Sequence, residues 1–164
     1  MTQKVKVAFQ GEKGAYSHLA CEELFKGTPI EACSTFEETF KIAYEDSSYK
    51  IVVPIENSLA GRVADIHYLL PKYKLQIYAE HFQIVEHNLL VKENTELKDI
   101  KYVRSHAQAI DQCQKIIQKY KFQTIISADT AGSAKELSKS NDKTIAAIAS
   151  KLSAQIYGLK VLLK

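Results

Sequence analysis

Within Pro54-Ile55-Glu56-Asn57-Ser58-Leu59-Ala60-Gly61-Arg62, a carboxylate, an amide, a hydroxyl and a guanidinium follow the apolar stretch Ile51-Val52-Val53. Polar groups gathered where a strand ends are the usual makings of a ligand site in an open α/β sheet. Asn57 and Ser58 can donate hydrogen bonds, Gly61 lets the backbone approach a ligand closely, and Arg62 can offer a bidentate fork to a carboxylate. Glu56 can give a proton to a bound anion, or stay ionised and hold the turn through backbone N–H groups. More plainly, the stretch is a strand-to-helix turn in which Asn57 or Ser58 is an N-cap and Arg62 is solvated.

Two further segments set polar groups at helix starts. In Ser105-His106-Ala107-Gln108, Ser105 as N-cap with Gln108 as its reciprocal partner makes a capping box. His106 then sits in the first turn, where the helix dipole disfavours imidazolium, so its role is to orient a ligand rather than to protonate one. Asp129 before Thr130 is a natural cap for the next helix. Gly11 and Gly14, flanking Glu12-Lys13, allow a tight turn ahead of Tyr16 and Ser17.

These groups need elements to carry them, and strand-like and helix-like runs alternate along the chain, which predicts an α/β fold. Val5 to Gln10 reads as a strand; Ser17 caps a helix that turns Leu19, Leu24 and Phe25 toward a core. Ile30 to Cys33 is extended, and Thr35 with Glu38 makes a capping box before a second helix. Lys50 to Ile55 is the strand that delivers the Glu56 cluster, and Val63, Ile66, Leu69 and Leu70 mark a helix ending near Pro71. Leu75 to Lys92 is one long extended run, read as a crossover between two lobes, with the boundary within residues 76–84. Strands at Tyr102-Val103, Phe122 to Ser127 and Ile145 to Ile148 then alternate with helices from Ser105 to about Tyr120, after Asp129, and from Lys151 to Tyr157.

Composition narrows the partners. A chain of 164 residues with 46% hydrophobic content fits one domain or two small lobes. Net charge +3 with mixed signs and no basic tract argues against nucleic acid and suits a small anion. Cys21, Cys33 and Cys113 have no CxxC spacing, so they read as reduced, packed thiols rather than a disulfide or zinc framework. His67, His81 and His87 lack metal-ligand spacing and read as surface or hinge residues. Met1-Thr2-Gln3-Lys4 leads straight into a strand without a secretory core, and no apolar run is long enough to span a bilayer, so a cytoplasmic protein is expected.

Taken in order, Gly11 to Ser17, Pro54 to Val63, Ser105 to Ala109, Asp129 to Ala134, and Ala146 to Ser150 leading to Tyr157-Gly158-Leu159 resemble the catalytic domain of the prephenate dehydratases. The resemblance runs from about Val5 to Leu162, with Ala107 where the family usually has proline. It implies a two-lobed, type II periplasmic-binding-protein-like α/β fold with the site in the cleft, lobe one spanning 1–78 and lobe two 79–164. It implies conversion of prephenate to phenylpyruvate in phenylalanine biosynthesis, with no metal or organic cofactor, since aromatisation drives the reaction. By the same resemblance Tyr16, Asn57, Ser58, Arg62, Ser105 and Gln108 bind substrate, while His106, Thr130 and Glu56 are the catalytic candidates.

The family's Thr-Arg-Phe triplet, on a strand returning to the first lobe, occurs nowhere in the chain, and neither does the regulatory ACT domain. The expectation is therefore a first lobe short of its return strand, weak or absent turnover, and a sheet edge open to a second copy or a complementing chain. The alternative is a non-catalytic binding module or sensor for small carboxylates.

Overall fold

A computed structural model describes residues 5–164; the N-terminal tetrapeptide, read above as free of a secretory core, lies outside the described residues. Two compact units divide the chain: residues 5–12 with Tyr16–Gln83, and Lys13–Ala15 with Ile84–Lys164.

The first unit runs β1 (Lys6–Gln10), α1 (Tyr16–Leu24), β2 (Ile30–Cys33), α2 (Phe36–Glu45), β3 (Tyr49–Val52), β4 (Glu56–Asn57), β5 (Gly61–Arg62) and α3 (Ala64–Tyr73). β1 lies between β2 and β3 in a parallel sheet, and its Val7, Ala8 and Phe9 are wholly buried, as a strand covered on both faces must be. α2 starts as its sequence predicts: Thr35 Oγ1 accepts the Glu38 N–H at 3.0 Å. The Glu38 carboxylate reaches back to the Ser34 N–H at 2.7 Å, one residue before the cap, rather than to the Thr35 N–H of the expected capping box. Phe40 of α2 packs with Ile66 and Leu69 of α3 as the buried core of this face.

Helix α1 departs from expectation. It begins at Tyr16, so Ser17 lies inside the helix rather than capping it. The residues it buries are His18, Ala20 and Cys21, whereas Leu24 is 40% exposed. The His18 ring stacks flat on Phe9 at 5.1 Å, and this contact fixes which face turns inward. α3 also runs past Pro71 to Tyr73. Pro71 forfeits the N–H bond to the carbonyl four residues back, and packing of Leu70 and Tyr73 against the core holds the turn in spite of it.

The long extended run predicted from Leu75 to Lys92 is mostly not a strand. Only β6 (Asn88–Val91) forms, and residues 75–87 have no regular structure. A strand exists through its ladder, and no ladder partner lies beside residues 75–87 among the described residues.

The second unit continues from β6 through a 3₁₀ turn (Leu97–Asp99) to β7 (Tyr102–Ser105), α4 (Ala107–Gln112), α5 (Gln114–Tyr120) and β8 (Gln123–Ile126). Then come α6 (Thr130–Lys139), β9 (Ile145–Ala149), α7 (Lys151–Tyr157) and β10 (Lys160–Leu163). The sheet order is β10-β6-β9-β7-β8, with β9, β7 and β8 mutually parallel. Lys160–Leu163 is the antiparallel edge strand beside β6.

Alternate residues of the central strands feed two cores. Leu89, Val103 and Ile148 meet Ile110, Ile117 and Phe122 on one face. On the other, Leu90 and the small Ala147 and Ala149 meet Ala134, Leu137 and Ala154. The single helix expected from Ser105 to Tyr120 is two, broken at Cys113, whose N–H is shared between the Ala109 and Ile110 carbonyls at 3.1 Å each. A cavity of about 50 Å³ beside this break is lined by Leu89, Val103, Cys113, Ile117, Ile148 and Leu163 among others, and by none of the candidate site residues.

Candidate active site

The parallel strands β9, β7 and β8 all point their carboxyl ends the same way, and each ends in polar residues. β7 ends at Ser105 and passes to His106; β8 leads to Asp129 and Thr130; β9 leads to Ser150. This edge is where a parallel α/β sheet receives a ligand.

His106, not Ser105, is the N-cap of α4. Its Nδ1 accepts the Gln108 N–H at 3.3 Å, so the ring proton sits on Nε2, where it can be donated. Ser105 is fully buried and donates to the Ile148 carbonyl at 2.6 Å, so the predicted capping box gives way to a bond across the sheet. The reason is strand alternation. Val103 and Ser105 share one side of β7 and are both buried, whereas His106 is half-buried and Gln108 exposed. Asp129 is the cap of α6, accepting the Gly132 N–H at 2.6 Å, and Thr130 opens the helix, half-buried.

Sequence reasoning missed a group at the end of β9. Ser150 Oγ donates to the Gly14 carbonyl at 2.5 Å and accepts the Ser153 N–H at 3.0 Å, while Tyr157 Oη donates to the Lys13 carbonyl at 2.8 Å. The available signals were Ser150 before a helix and a glycine in the first loop, which do not say that the two meet.

In the first unit, Glu56 and Asn57 form half of a small hairpin with Gly61 and Arg62, rather than a strand-to-helix turn. The cap of α3 is Val63, so neither Asn57 nor Ser58 caps a helix. Asn57 Oδ1 accepts the N–H groups of Leu59 and Ala60 at 2.9 and 3.0 Å; it holds the turn, the role offered above to Glu56. Gly61 has φ +83, which closes the hairpin without a side-chain penalty. Glu56, Ser58 and Arg62 are exposed, with Glu56 and Arg62 paired in register. Tyr16, the first residue of α1, is half-buried.

The remaining candidates for chemistry are accounted for locally. Burial pushes the Cys21 thiol up to about 12, with the Glu22 charge adding to it, and burial also raises Cys33 and Cys113. None is a ready thiolate at neutral pH. His81 pairs with Glu23 at 3.1 Å, and His87 Nε2 donates to Gln112 Oε1 at 2.9 Å. Among the described residues no group of three or more His, Cys, Asp or Glu could hold a metal ion, and no helix is long and apolar enough to cross a membrane.

The family model for prephenate dehydratase matches residues 7–164. The chain belongs to the prephenate dehydratase family. It is 40% identical over 95% of its length to a bifunctional N-acyl-homoserine lactone acylase/prephenate dehydratase of Komagataeibacter europaeus, covering 56% of that protein. It is 35% identical over 98% of its length to an arogenate dehydratase/prephenate dehydratase of Arabidopsis thaliana, covering 42% of it. The chain thus spans about half the length of the curated relatives it matches. Among solved structures, the prephenate dehydratase of Staphylococcus aureus aligns with TM-score 0.82 and 28% identity over 97% of this chain and 60% of the other. The α/β fold with mixed sheets is therefore that of the prephenate dehydratases, of the type II periplasmic-binding-protein class.

Proposed function

We propose that the chain is a prephenate dehydratase-type lyase, binding prephenate and releasing water and carbon dioxide to leave phenylpyruvate. In that reaction the bond from the ring to its carboxylate breaks, its electrons enter the ring, and the ring hydroxyl leaves with an added proton as water. The protein must anchor two carboxylates and supply that proton. His106, with Nε2–H as donor, and Thr130 and Gln108 at helix starts are the proposed anchors in the second unit, with buried Ser105 fixing the end of β7 that carries His106. Ser58, Arg62 and the Asn57 amide are those of the first unit, with Tyr16 beside the ring and Glu56 as the candidate acid.

The reading draws most support from the sheet order: the carboxyl ends carrying His106 and Thr130 belong to adjacent strands, β7 and β8. Of the activities in the two relatives' names, only that of a prephenate dehydratase is common to both. The arogenate named for the Arabidopsis relative carries an amine where prephenate has a keto oxygen, and is the proposed alternative substrate. We also propose a cytoplasmic location, synthesis of phenylalanine as the role, and slow turnover by these 164 residues alone.

Phenylpyruvate formation from prephenate by the purified chain tests the proposal, with arogenate run beside it. Turnover above the buffer blank that falls at least tenfold in Glu56→Gln is expected, on the scale of general acid assistance of ~10²–10⁴. Turnover unaffected by that change removes Glu56 as the acid. Saturable prephenate binding with no product at all would favour a carboxylate-binding module over an enzyme.

A further inference from the structure

Gly14 is buried, and its carbonyl accepts two hydroxyls of the α7 start, Ser150 Oγ at 2.5 Å and Ser153 Oγ at 3.0 Å. One residue earlier the Lys13 carbonyl takes the Tyr157 hydroxyl at 2.8 Å. Ser150 and Ser153 are 1% and 0% exposed, so water does not compete for the two bonds to the Gly14 carbonyl. Gly14 has φ +95, and a Cβ there would stand 2.5 Å from Ser153 Oγ and 2.9 Å from Ser153 Cα. The second of these contacts is backbone and cannot swing aside. The segment Lys13–Ala15 is therefore seated on the first turn of α7, at the carboxyl end of β9.

β9 is the sheet neighbour of β7, with Ala147 in register with Arg104. His106 lies two residues beyond Arg104, and Ser150 three beyond Ala147, so both lie just past the same sheet edge. Neighbouring strands run about 4.8 Å apart, so the strand ends that carry His106 and the seated loop are adjacent.

We infer that Ser150, Ser153 and Tyr157 are positioning residues that fix the Lys13–Ala15 backbone as a wall of the substrate site. The inference rests on the prephenate reading above. None of the three hydroxyls need touch substrate; they act through the loop.

The test pairs prephenate affinity with amide hydrogen exchange of a peptide covering residues 11–17, in the full chain. Ser153→Ala combined with Tyr157→Phe should speed exchange in that peptide and weaken prephenate binding about tenfold, the scale of losing one buried and one exposed hydrogen bond. Ile117→Val, in the core on the other face of the sheet, controls for general loosening and should leave affinity within about twofold. Gly14→Ala should have the stronger effect, and Tyr157→Phe alone keeps the test open if that variant fails to fold. Unchanged exchange in the double variant would show that the hydroxyls do not hold the loop. Faster exchange with wild-type affinity would show that the loop is held but is no part of the site. A folded wild-type chain that binds no prephenate, with exchange still slow at 11–17, would overturn the functional reading and this one with it, while leaving the seated loop as plain structure.

Discussion

Asp129 and Gly132 show how closely one candidate side chain is prepared by its neighbours. Asp129 caps α6 through the Gly132 N–H, and a Cβ on Gly132 would lie 2.6 Å from Asp129 Oδ2. Alanine in place of a helical glycine ordinarily stabilises by about 0.5–1 kcal/mol, and a lost cap costs about 1 kcal/mol. At this position the two oppose each other. Gly132→Ala should therefore give little or no gain in urea unfolding of the wild type, yet gain about 0.5–1 kcal/mol when Asp129 is already Ala. Equal gains in both backgrounds would show that the cap and the glycine do not depend on each other. Thr130, next to the cap, should lose prephenate affinity in Asp129→Ala even at temperatures where the fold holds. At this scale the sequence was informative about Asp129 and Thr35, because a cap and its partner lie within three residues. It misassigned the cap of α4, because whether Ser105 or His106 turns inward depends on Ile148, 43 residues away. The seat of Gly14 on Ser150 spans 136 residues and was illegible for the same reason.

Elements were legible where local pattern and packing agree. The run Ile145-Ala146-Ala147-Ile148-Ala149 reads as a strand because both its faces are buried, and its alanines let α6 and α7 approach. Residues 75–87 carry the same apolar residues without a ladder to make them a strand. The break between α4 and α5 was also hidden, since no proline or glycine marks Cys113. That break places Gln112 against His87, whose imidazole burial holds below its ordinary value, while the bond to Gln112 partly opposes the shift. The folded chain thus binds a proton here less readily than the unfolded chain. The resulting stability is present above the unfolded value of 6.5 and is lost as pH falls from there toward the depressed folded value. The urea midpoint should therefore fall between pH ~7.5 and pH ~5 by less in His87→Gln than in the wild type. Identical falls would mean that His87 keeps its unfolded affinity for protons.

On the scale of the whole molecule, the first unit's three-stranded sheet has an open edge at β3 among the described residues. β3 has β1 as its one strand partner among the described residues. The nearby segment, marked by Tyr78 under Lys50 Nζ at 5.2 Å, joins no strand ladder among the described residues and exposes Ile77, Tyr78 and Phe82. An unpaired edge beside exposed apolar side chains takes up another strand readily. Self-association that rises with concentration in sedimentation, and that Phe82→Lys reverses, is the expected behaviour. A monomer at every concentration would sink the idea of pairing through this edge. The α/β class and the family were legible from ordered motifs spread along the chain, whereas this exposed segment was not, because exposure belongs to the folded whole.

The most direct test of the proposed prephenate site is a calorimetric titration of prephenate into the folded chain, repeated on Thr130→Ala and His106→Gln. Saturable binding to the wild type, weakened about tenfold or more in each variant, is the expected result, since each change removes a hydrogen bond to a charged ligand. A folded wild type that binds no prephenate, or two variants that bind it as the wild type does, would contradict it.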